Sequence, residues 1–276
     1  MKIENSMDTC ICTKPGDLKY VRKPVPERQP GHSIVRIKTV GICGTDIHAF
    51  EGSQPYFSYP RILGHEIAAE IMETDDPRFS QGENVALLPY ISCGKCIACR
   101  RKINNCCVEM QVIGVHVDGA LQNYLSVPSD LLIKSEGLGL DELALVEPLA
   151  IGAHGIRRAQ LLSGEFVLVI GAGPIGLGTM EFARIAGGKV IAMDINEDRL
   201  KFCEKELDVG YTIKAGQPDT LKNLQEITKG DLPTVVIDAT GNQQAIVNSL
   251  NFVAHSGRLV LIGLQKDRGC KVNCVK

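Results

Sequence analysis

The chain has 276 residues, of which 44% are hydrophobic and 22% charged, so it can bury one large core or two ordinary ones. Its formal net charge of -2 gives no basic excess to attract a phosphate backbone or an anionic membrane, which argues against nucleic-acid and membrane partners. Because no segment has the pattern of a secretory signal or the roughly 18 successive apolar residues of a membrane span, we expect a cytoplasmic protein.

Eleven cysteines are present in this chain. In a reducing compartment cysteines serve more often as metal ligands, as nucleophiles or as small buried residues than as disulfides. Their positions along the chain therefore decide which of these roles to expect.

The first half, residues 1–150, has short β-branched runs at 33–40, 83–90 and 121–128, separated by Gly, Pro, Asn and Asp clusters. Such runs and breaks are typical of an irregular, mostly β domain. Between the first two runs, the stretch 41–66 places Cys43, His48, His65 and Glu66 among glycines and prolines. The spacing of these residues alone does not say what they bind.

A second cysteine pattern, CGKCIACRRKINNCC, occupies residues 93–107. Three cysteines recur at every third position and a fourth follows later, so one loop can fold four thiolates tetrahedrally around a structural zinc ion. Buried free thiols and disulfides are the alternatives, and Cys106 is a possible substitute ligand. The expected ligands are Cys93, Cys96, Cys99 and Cys107. Zinc ribbons that bind nucleic acid also use four cysteines, so this loop alone does not define a function.

The second half, residues 151–276, has near-continuous apolar strands at 166–171, 189–194, 234–241 and 257–263, with helix-length segments between them. Strands that alternate with helices and are apolar on both faces indicate a parallel, doubly wound sheet. We expect the boundary between the halves to lie in a helix over about 143–162.

The motif GAGPIG at 171–176 follows the first of these strands directly and opens a helix. Gly171 permits the tight turn, Gly173 lets the backbone approach a pyrophosphate, and Gly176 permits close packing of helix on strand. Asp194 ends the next strand, where a carboxylate accepts hydrogen bonds from both ribose hydroxyls and repels a 2′-phosphate. This arrangement predicts a site for NAD rather than NADP, against the alternative of a structural glycine turn with a capping aspartate.

Arg199, five residues after Asp194, is expected either to lie against the same ribose or to be an ordinary solvated helix residue. The expected cofactor-binding residues are Gly171, Gly173, Pro174, Ile175, Gly176, Asp194, Arg199 and Gly263.

Several motifs together cover nearly the whole chain: CGTDxH at 43–48, GHE at 64–66, the four-cysteine loop, EP at 147–148 and the glycine turn. In this order they resemble the zinc-containing medium-chain alcohol dehydrogenases. The resemblance implies an α/β fold class, with a Rossmann doubly wound parallel sheet and a β-rich GroES-like catalytic domain that carries two zinc ions. Glutamate at position 147 is similar to the sorbitol and threonine dehydrogenase branch, and the stretch 54–66 to sugar-acid dehydrogenases such as galactonate and gulonate 5-dehydrogenases.

The resemblance further implies a catalytic zinc ligated by Cys43 and His65, with Glu66 or Glu147 as the third ligand. A zinc ion with an open coordination position lowers the pKa of an alcohol. The implied substrate is a secondary alcohol, a polyol or a sugar acid, oxidised by hydride transfer to NAD. A truncated homologue that binds zinc and NAD without turnover is the alternative.

The proton released in this reaction has to leave a dry site. A hydroxyl and an imidazole three residues apart, Thr45 and His48, are suited to relay it to solvent. Asp46 is expected either to orient the ring of His65 or to act as a turn residue.

Members of the family usually continue beyond the strand at 257–263, and the charged tail 266–276 does not resemble them. We therefore expect an incomplete Rossmann domain with an exposed strand edge. A homo-oligomer is usual for the family, and the missing strand would put an ordinary oligomer in doubt.

Overall fold

The computed structural model of the protein describes residues 5–134 and 136–265. The tail 266–276, and with it the expectation of a charged tail unlike that of the family, lies outside the described residues. The chain divides into two units, Met1–Glu147 and Pro148–Lys276.

The first unit is built from short strands and a few short helices. Its described strands are β1 (Ser6–Lys14), β2 (Asp17–Pro24), β3 (His32–Gly41), β4 (Glu66–Glu73), β5 (Asn84–Leu87), β6 (Tyr90–Ile91), β7 (Gln111–Val112), β8 (Tyr124–Pro128) and β9 (Leu132–Lys134). Its helices are α1 (Gly44–Glu51), α2 (Ile97–Arg100) and α3 (Leu140–Ala144), with 3-10 turns at Asn104–Cys106 and Ser129–Leu131.

Five of these strands form one antiparallel sheet in the order β8-β3-β4-β5-β9, while β1 pairs with β2 and β6 with β7. Apolar side chains of this sheet, among them Val35, Ile67, Val85 and Leu125, form the main core of the unit. The mostly β character expected of this half is therefore confirmed.

The helix α4 (Val146–Ala159) begins in the first unit and continues into the second. The sequence had indicated a single helix from about 143 to 162. That prediction was wrong at its start, because α3 ends at Ala144 and the turn at Leu145 separates it from α4.

The second unit alternates strands and helices: β10 (Phe166–Ile170), α5 (Pro174–Ile185), β11 (Lys189–Asp194), α6 (Glu197–Glu206), β12 (Tyr211–Lys214), α7 (Thr220–Ile227), β13 (Val235–Asp238), α8 (Gln243–Phe252) and β14 (Arg258–Leu261). All neighbouring pairs in the sheet β12-β11-β10-β13-β14 are parallel. Two apolar clusters contain alternate residues of β10, with Val167 and Val169 in one and Leu168 and Ile170 in the other. This sheet is the doubly wound Rossmann arrangement that the apolar strands predict.

The strand β12 was not among the runs that the sequence indicated. It has four residues, only Ile213 of which is buried, and it lies at an edge of the sheet, so it lacks the apolar run of a central strand. Within residues 5–134 and 136–265, no helix is long and apolar enough to cross a membrane.

Candidate active site

The pairing of β3 with β4 brings the residues of the stretch 41–66 together. The last residue of β3, Gly41, lies opposite the first residue of β4, Glu66. Cys43 follows β3 as the N-cap residue of α1, and His65 directly precedes β4. One ligand atom from each of Cys43, His65 and Glu66 lies within 4.8 Å of the other two. We call these three residues the mixed-ligand group.

A glycine at position 41 is required by this geometry. A Cβ atom built on Gly41 would collide with Oε2 of Glu66. The absence of a side chain therefore leaves the space in which the carboxylate lies. Gly41 was not identified from the sequence, because the need for a glycine there appears only once the two strands are paired.

Asp46 links the two segments that carry the mixed-ligand group. Its Oδ2 accepts a hydrogen bond of 2.9 Å from the backbone N–H of Cys43, and its Oδ1 accepts one of 3.1 Å from Gly64. The same Oδ1 lies 3.6 Å from Nδ1 of His65, an ion-pair distance too long for a hydrogen bond. Asp46 thus has contacts that suit both roles expected of it, capping the turn and facing His65.

The charges around the mixed-ligand group favour a cation. Burial lowers the pKa of His65, but the neighbouring Asp46 and Cys43 outweigh this effect and raise it to about 10. Burial raises the pKa of Glu66, and Glu147 and Asp46 add to the rise, while His65 opposes it. Thiolate, imidazole and carboxylate are the donors that zinc prefers, so these residues fit a zinc ion with an open coordination position.

Glu147 is not part of this close set among the described residues. Its side chain is buried in the first turn of α4, and its Oε1 accepts a hydrogen bond from the hydroxyl of Tyr90. Burial, together with the charge of Glu147, raises the pKa of Tyr90, so the hydroxyl keeps its proton and acts as the hydrogen-bond donor. Burial also raises the pKa of Glu147, although the bond from Tyr90 opposes this. Tyr90 was not identified from the sequence, where it is one aromatic residue at the end of an apolar run.

Thr45 and His48 both lie on α1, immediately after Cys43. Three residues apart on a helix, they share one face. Both side chains are half-buried, and Nδ1 of His48 lies 3.4 Å from Oε2 of Glu51. The arrangement is compatible with a proton relay, which stays a prediction.

The four cysteines of the loop 93–107 also converge. One sulfur atom from each lies within 4.8 Å of the other three, and we call them the four-cysteine group: Cys93, Cys96, Cys99 and Cys107.

Backbone N–H groups of the loop point at these sulfur atoms. That of Cys93 donates to Sγ of Cys107 over 3.2 Å, and those of Cys99 and Val108 lower the pKa of Cys96 to about 6. Burial and the neighbouring thiols instead raise the pKa of Cys99 to about 11. Four sulfur atoms within 4.8 Å of one another, at least one of them stabilised as a thiolate, fit a structural zinc ion. Cys106, the possible substitute ligand, is exposed and outside the group.

The glycine turn of the second unit has the backbone geometry that a dinucleotide requires. Gly171 has a φ of +100°, and a Cβ atom on Gly176 would collide with the carbonyl oxygen of Gly171. A Cβ atom on Gly173, the N-cap of α5, would meet only open space. Pro174 and Ile175 form the first turn of this helix, whose free N–H groups suit a phosphate.

Asp194 at the end of β11 holds this turn. One carboxylate oxygen accepts a bond of 2.6 Å from the N–H of Ala172, and the other accepts one of 2.8 Å from Asn196. Arg199 lies 3.8 Å from the first of these oxygens, so the two residues predicted to face a ribose are neighbours.

Gly263 follows β14 and packs on the turn that follows β13, because a Cβ atom on it would collide with the backbone of Gly241. The buried carboxylate of Asp238 shapes that turn by accepting bonds from the N–H groups of Thr240, at 3.1 Å, and Gly241, at 3.0 Å. Asp238 was not identified from the sequence, where it lies within an apolar strand without a distinctive motif.

Comparison with known proteins agrees with this geometry. The family described as "Alcohol dehydrogenase GroES-like domain" matches residues 29–137, and the family described as "Zinc-binding dehydrogenase" matches residues 174–273. The L-galactonate-5-dehydrogenase of Escherichia coli K12 is 41% identical over 264 residues, which cover 95% of this chain and 77% of the relative. The chain belongs to the zinc-binding alcohol dehydrogenase family.

A sorbitol dehydrogenase of Bacillus subtilis is 29% identical over 279 residues, covering 98% of this chain and 79% of the relative. The resemblance stated from the sequence, including the polyol and sugar-acid dehydrogenases it named, is therefore confirmed.

Solved structures of this family share the fold. The RspB dehydrogenase of E. coli CFT073, complexed with cofactor NADH, has a TM-score of 0.89 at 31% identity, with 98% of this chain and 80% of that chain covered. A zinc-binding dehydrogenase of Sinorhizobium meliloti bound to NADP has a TM-score of 0.88 at 28% identity, with coverages of 99% and 80%. The prediction of a GroES-like domain and a Rossmann domain is therefore confirmed.

Proposed function

We propose that this dehydrogenase oxidises a secondary alcohol of a polyol or sugar acid by hydride transfer to NAD, with zinc as a cofactor. The observation that carries the proposal is the mixed-ligand group, in which a thiol, an imidazole and a carboxylate converge within 4.8 Å. The relative named L-galactonate-5-dehydrogenase, at 41% identity, supports a sugar-acid or polyol substrate.

Two zinc ions would be held by different residues. Cys43, His65 and Glu66 would hold the catalytic ion, and the four-cysteine group would hold a structural one. When bound, the catalytic zinc acts as a Lewis acid that lowers the pKa of the alcohol, and NAD accepts the hydride.

The protein's own residues position the ligands and move the proton. Asp46 fixes the backbone at Cys43 and Gly64 and so orients both ligand segments. The hydroxyl of Thr45 accepts the proton of the substrate alcohol and passes its own proton on. His48, on the same face of α1, carries the proton to solvent.

Selection of NAD depends on Asp194, whose carboxylate would accept the ribose hydroxyls and repel a 2′-phosphate. Because one relative is bound to NADP and another to NADH, both cofactors belong in the test.

The experiment is an activity screen of the purified, zinc-loaded protein against aldonates, sugar alcohols and simple primary alcohols, with NAD or NADP. We expect NADH formation with secondary alcohols that carry neighbouring hydroxyls and little with primary alcohols. Binding of zinc and NAD without turnover across the panel would instead support the inactive homologue.

A matched pair of variants tests the relay. Thr45→Ser keeps the hydroxyl and should keep most activity, whereas Thr45→Val keeps the shape and should lose roughly 10²-fold or more in kcat. Equal activity of the two variants would remove Thr45 from the mechanism.

A further inference from the structure

Tyr90 has no role in the mechanism above, yet its hydroxyl donates a hydrogen bond to Oε1 of Glu147. Both residues lie in the first unit. Glu147 is 5% exposed, and a buried carboxylate without a hydrogen-bond donor is costly. Tyr90 supplies such a donor to one of the two carboxylate oxygens.

Glu147 lies in the first turn of α4, which starts beside the strand of Glu66. Its neighbour Val146 packs against the buried cluster that contains Ala68, two residues after Glu66 on β4. The charge of Glu147 accordingly acts on both Glu66 and His65. A free carboxylate so close to a divalent cation would be drawn to it by charge. A hydrogen bond that fixes one oxygen elsewhere opposes that movement.

The backbone around Tyr90 is itself held at two points. Tyr90 pairs with Val112 in the β6–β7 ladder. Three residues later, the N–H of Cys93 donates to Sγ of Cys107 in the four-cysteine group. The backbone from which the Tyr90 side chain extends is thus held by the β6–β7 ladder and by the loop that carries the structural ligands.

We propose that Tyr90 is a positioning residue that holds the carboxylate of Glu147 away from the metal bound by Cys43, His65 and Glu66. The open coordination position is thereby kept for the substrate. This proposal rests on the proposed function, in that it concerns the same metal.

The variant Tyr90→Phe removes only the hydroxyl and keeps the ring. Without its donor, Glu147 turns to the metal and competes with the substrate. We expect kcat to fall by about 10-fold or more, as for other residues that orient metal ligands. The metal should leave more slowly in the presence of a chelator, because it has gained a ligand.

The spectroscopic readout uses protein loaded with Co²⁺ at both sites. In the difference between Tyr90→Phe and the wild type, the contribution of the four-cysteine group cancels. We expect the visible absorption of the mixed-ligand group to weaken, since an added oxygen ligand moves Co²⁺ away from tetrahedral coordination. A Tyr124→Phe variant, which alters a buried tyrosine in a different cluster of the same unit, should leave the spectrum and kcat unchanged.

A double variant separates this role from a merely structural one. In the Glu147→Gln background the carboxylate is gone, so adding Tyr90→Phe should change kcat and the spectrum by less than about 2-fold. An unchanged Co²⁺ spectrum in Tyr90→Phe, or an equal loss of kcat in the Glu147→Gln background, would overturn the proposal. If the wild type oxidises no alcohol, the proposed function fails, and the Co²⁺ spectra still decide the role of Tyr90.

Discussion

The mixed-ligand group and the four-cysteine group lie in the same unit but are assembled in different ways. The four thiols come from one loop, residues 93–107, whose own backbone N–H groups point at the sulfur atoms. Cys43 follows the end of β3, His65 and Glu66 lie at the start of β4, and the two segments meet because Gly41 lies opposite Glu66. One group depends on local chain geometry, and the other on the register of a sheet.

This difference has a consequence for robustness. A slip of one residue between β3 and β4 would move Glu66 to the other face of the sheet and disperse the mixed-ligand group. The pairing contains two register shifts, at Ile34/Val35 and Ile37/Thr39. These shifts determine which residue of β4 lies opposite the end of β3. The four-cysteine loop would survive such a slip, so changes in the two groups should have separable effects.

The largest expected effect follows from Cys43→Ser. Loss of this ligand should remove about one zinc ion per chain and lower kcat/KM by on the order of 10³ or more, since a Lewis-acid metal supplies several kcal/mol to the transition state. Metal analysis and steady-state kinetics measure the two effects. The same replacement at Cys10, half-buried on β1 and outside both groups, serves as the control. An unchanged zinc content in Cys43→Ser would contradict the assignment.

The variant Cys99→Ser tests the other side of the comparison. Removal of a buried ligand of the four-cysteine group should release the second zinc and lower the melting temperature by roughly 10 °C, because binding of a structural metal contributes to folding. Cys106→Ser, in the same loop but exposed and outside the group, should change neither zinc content nor melting temperature. If Cys106→Ser released zinc as Cys99→Ser does, the ligand set would be wrong.

Two glycine-to-alanine variants compare how an added side chain affects metal binding in each group. Gly41→Ala should weaken metal binding and kcat/KM by about 10 to 100-fold, because the new Cβ displaces the carboxylate of Glu66. Gly94, in the four-cysteine loop, has a φ of +72° and open space around it, so Gly94→Ala should cost only about 1 kcal/mol of stability through backbone strain.

Chelator titrations of both glycine variants, with thermal melts, measure these effects. The expected result is loss of the mixed-ligand metal in Gly41→Ala alone. Equal metal affinities in the two variants would mean that the contact between Gly41 and Glu66 does not matter for binding.

The same difference explains what could be predicted from the sequence. The four-cysteine loop and the glycine turn at 171–176 are local patterns, so spacing alone identified their residues. Cys43 and His65 were placed by family resemblance, because their 22-residue separation (65 − 43) has no local geometric meaning. Gly41 and the contact of Tyr90 with Glu147 were missed, since both arise from register and packing between segments distant in sequence.

The turn that separates α3 from α4 was missed for another reason. Apolar residues continue across Leu145, so the periodicity reads as one helix, and only the backbone shows the interruption. Pattern thus predicted β3 and four of the five strands of the parallel sheet, whereas β1, β2 and β4 were not indicated, and the ends of elements followed from tertiary contacts.

The last expected effect, as small as that of Gly94→Ala, comes from the second unit, at a distance in sequence from both groups. Burial would raise the pKa of Glu165, but bonds from Leu162, Thr234 and Arg258 outweigh it and hold the pKa below its ordinary value of 4.5. The carboxylate therefore stabilises the fold fully at pH values above 4.5, and this contribution is lost as the pH falls through the folded-state pKa.

Glu165→Gln should accordingly cost about 1 kcal/mol at neutral pH, or about 3 °C in melting temperature, and the difference from the wild type should shrink under acidic conditions. Thermal melts of both proteins across the acidic range, with zinc present, measure it. The ion pair of Glu165 with Arg258 holds no metal, so a chelator should not change the difference in melting temperature between Glu165→Gln and the wild type. A chelator should, however, erase the difference between Cys99→Ser and the wild type. A chelator-dependent effect of Glu165→Gln would mean that this carboxylate and the zinc ions stabilise the fold jointly. That result would contradict the assignment of the two effects to separate parts of the chain.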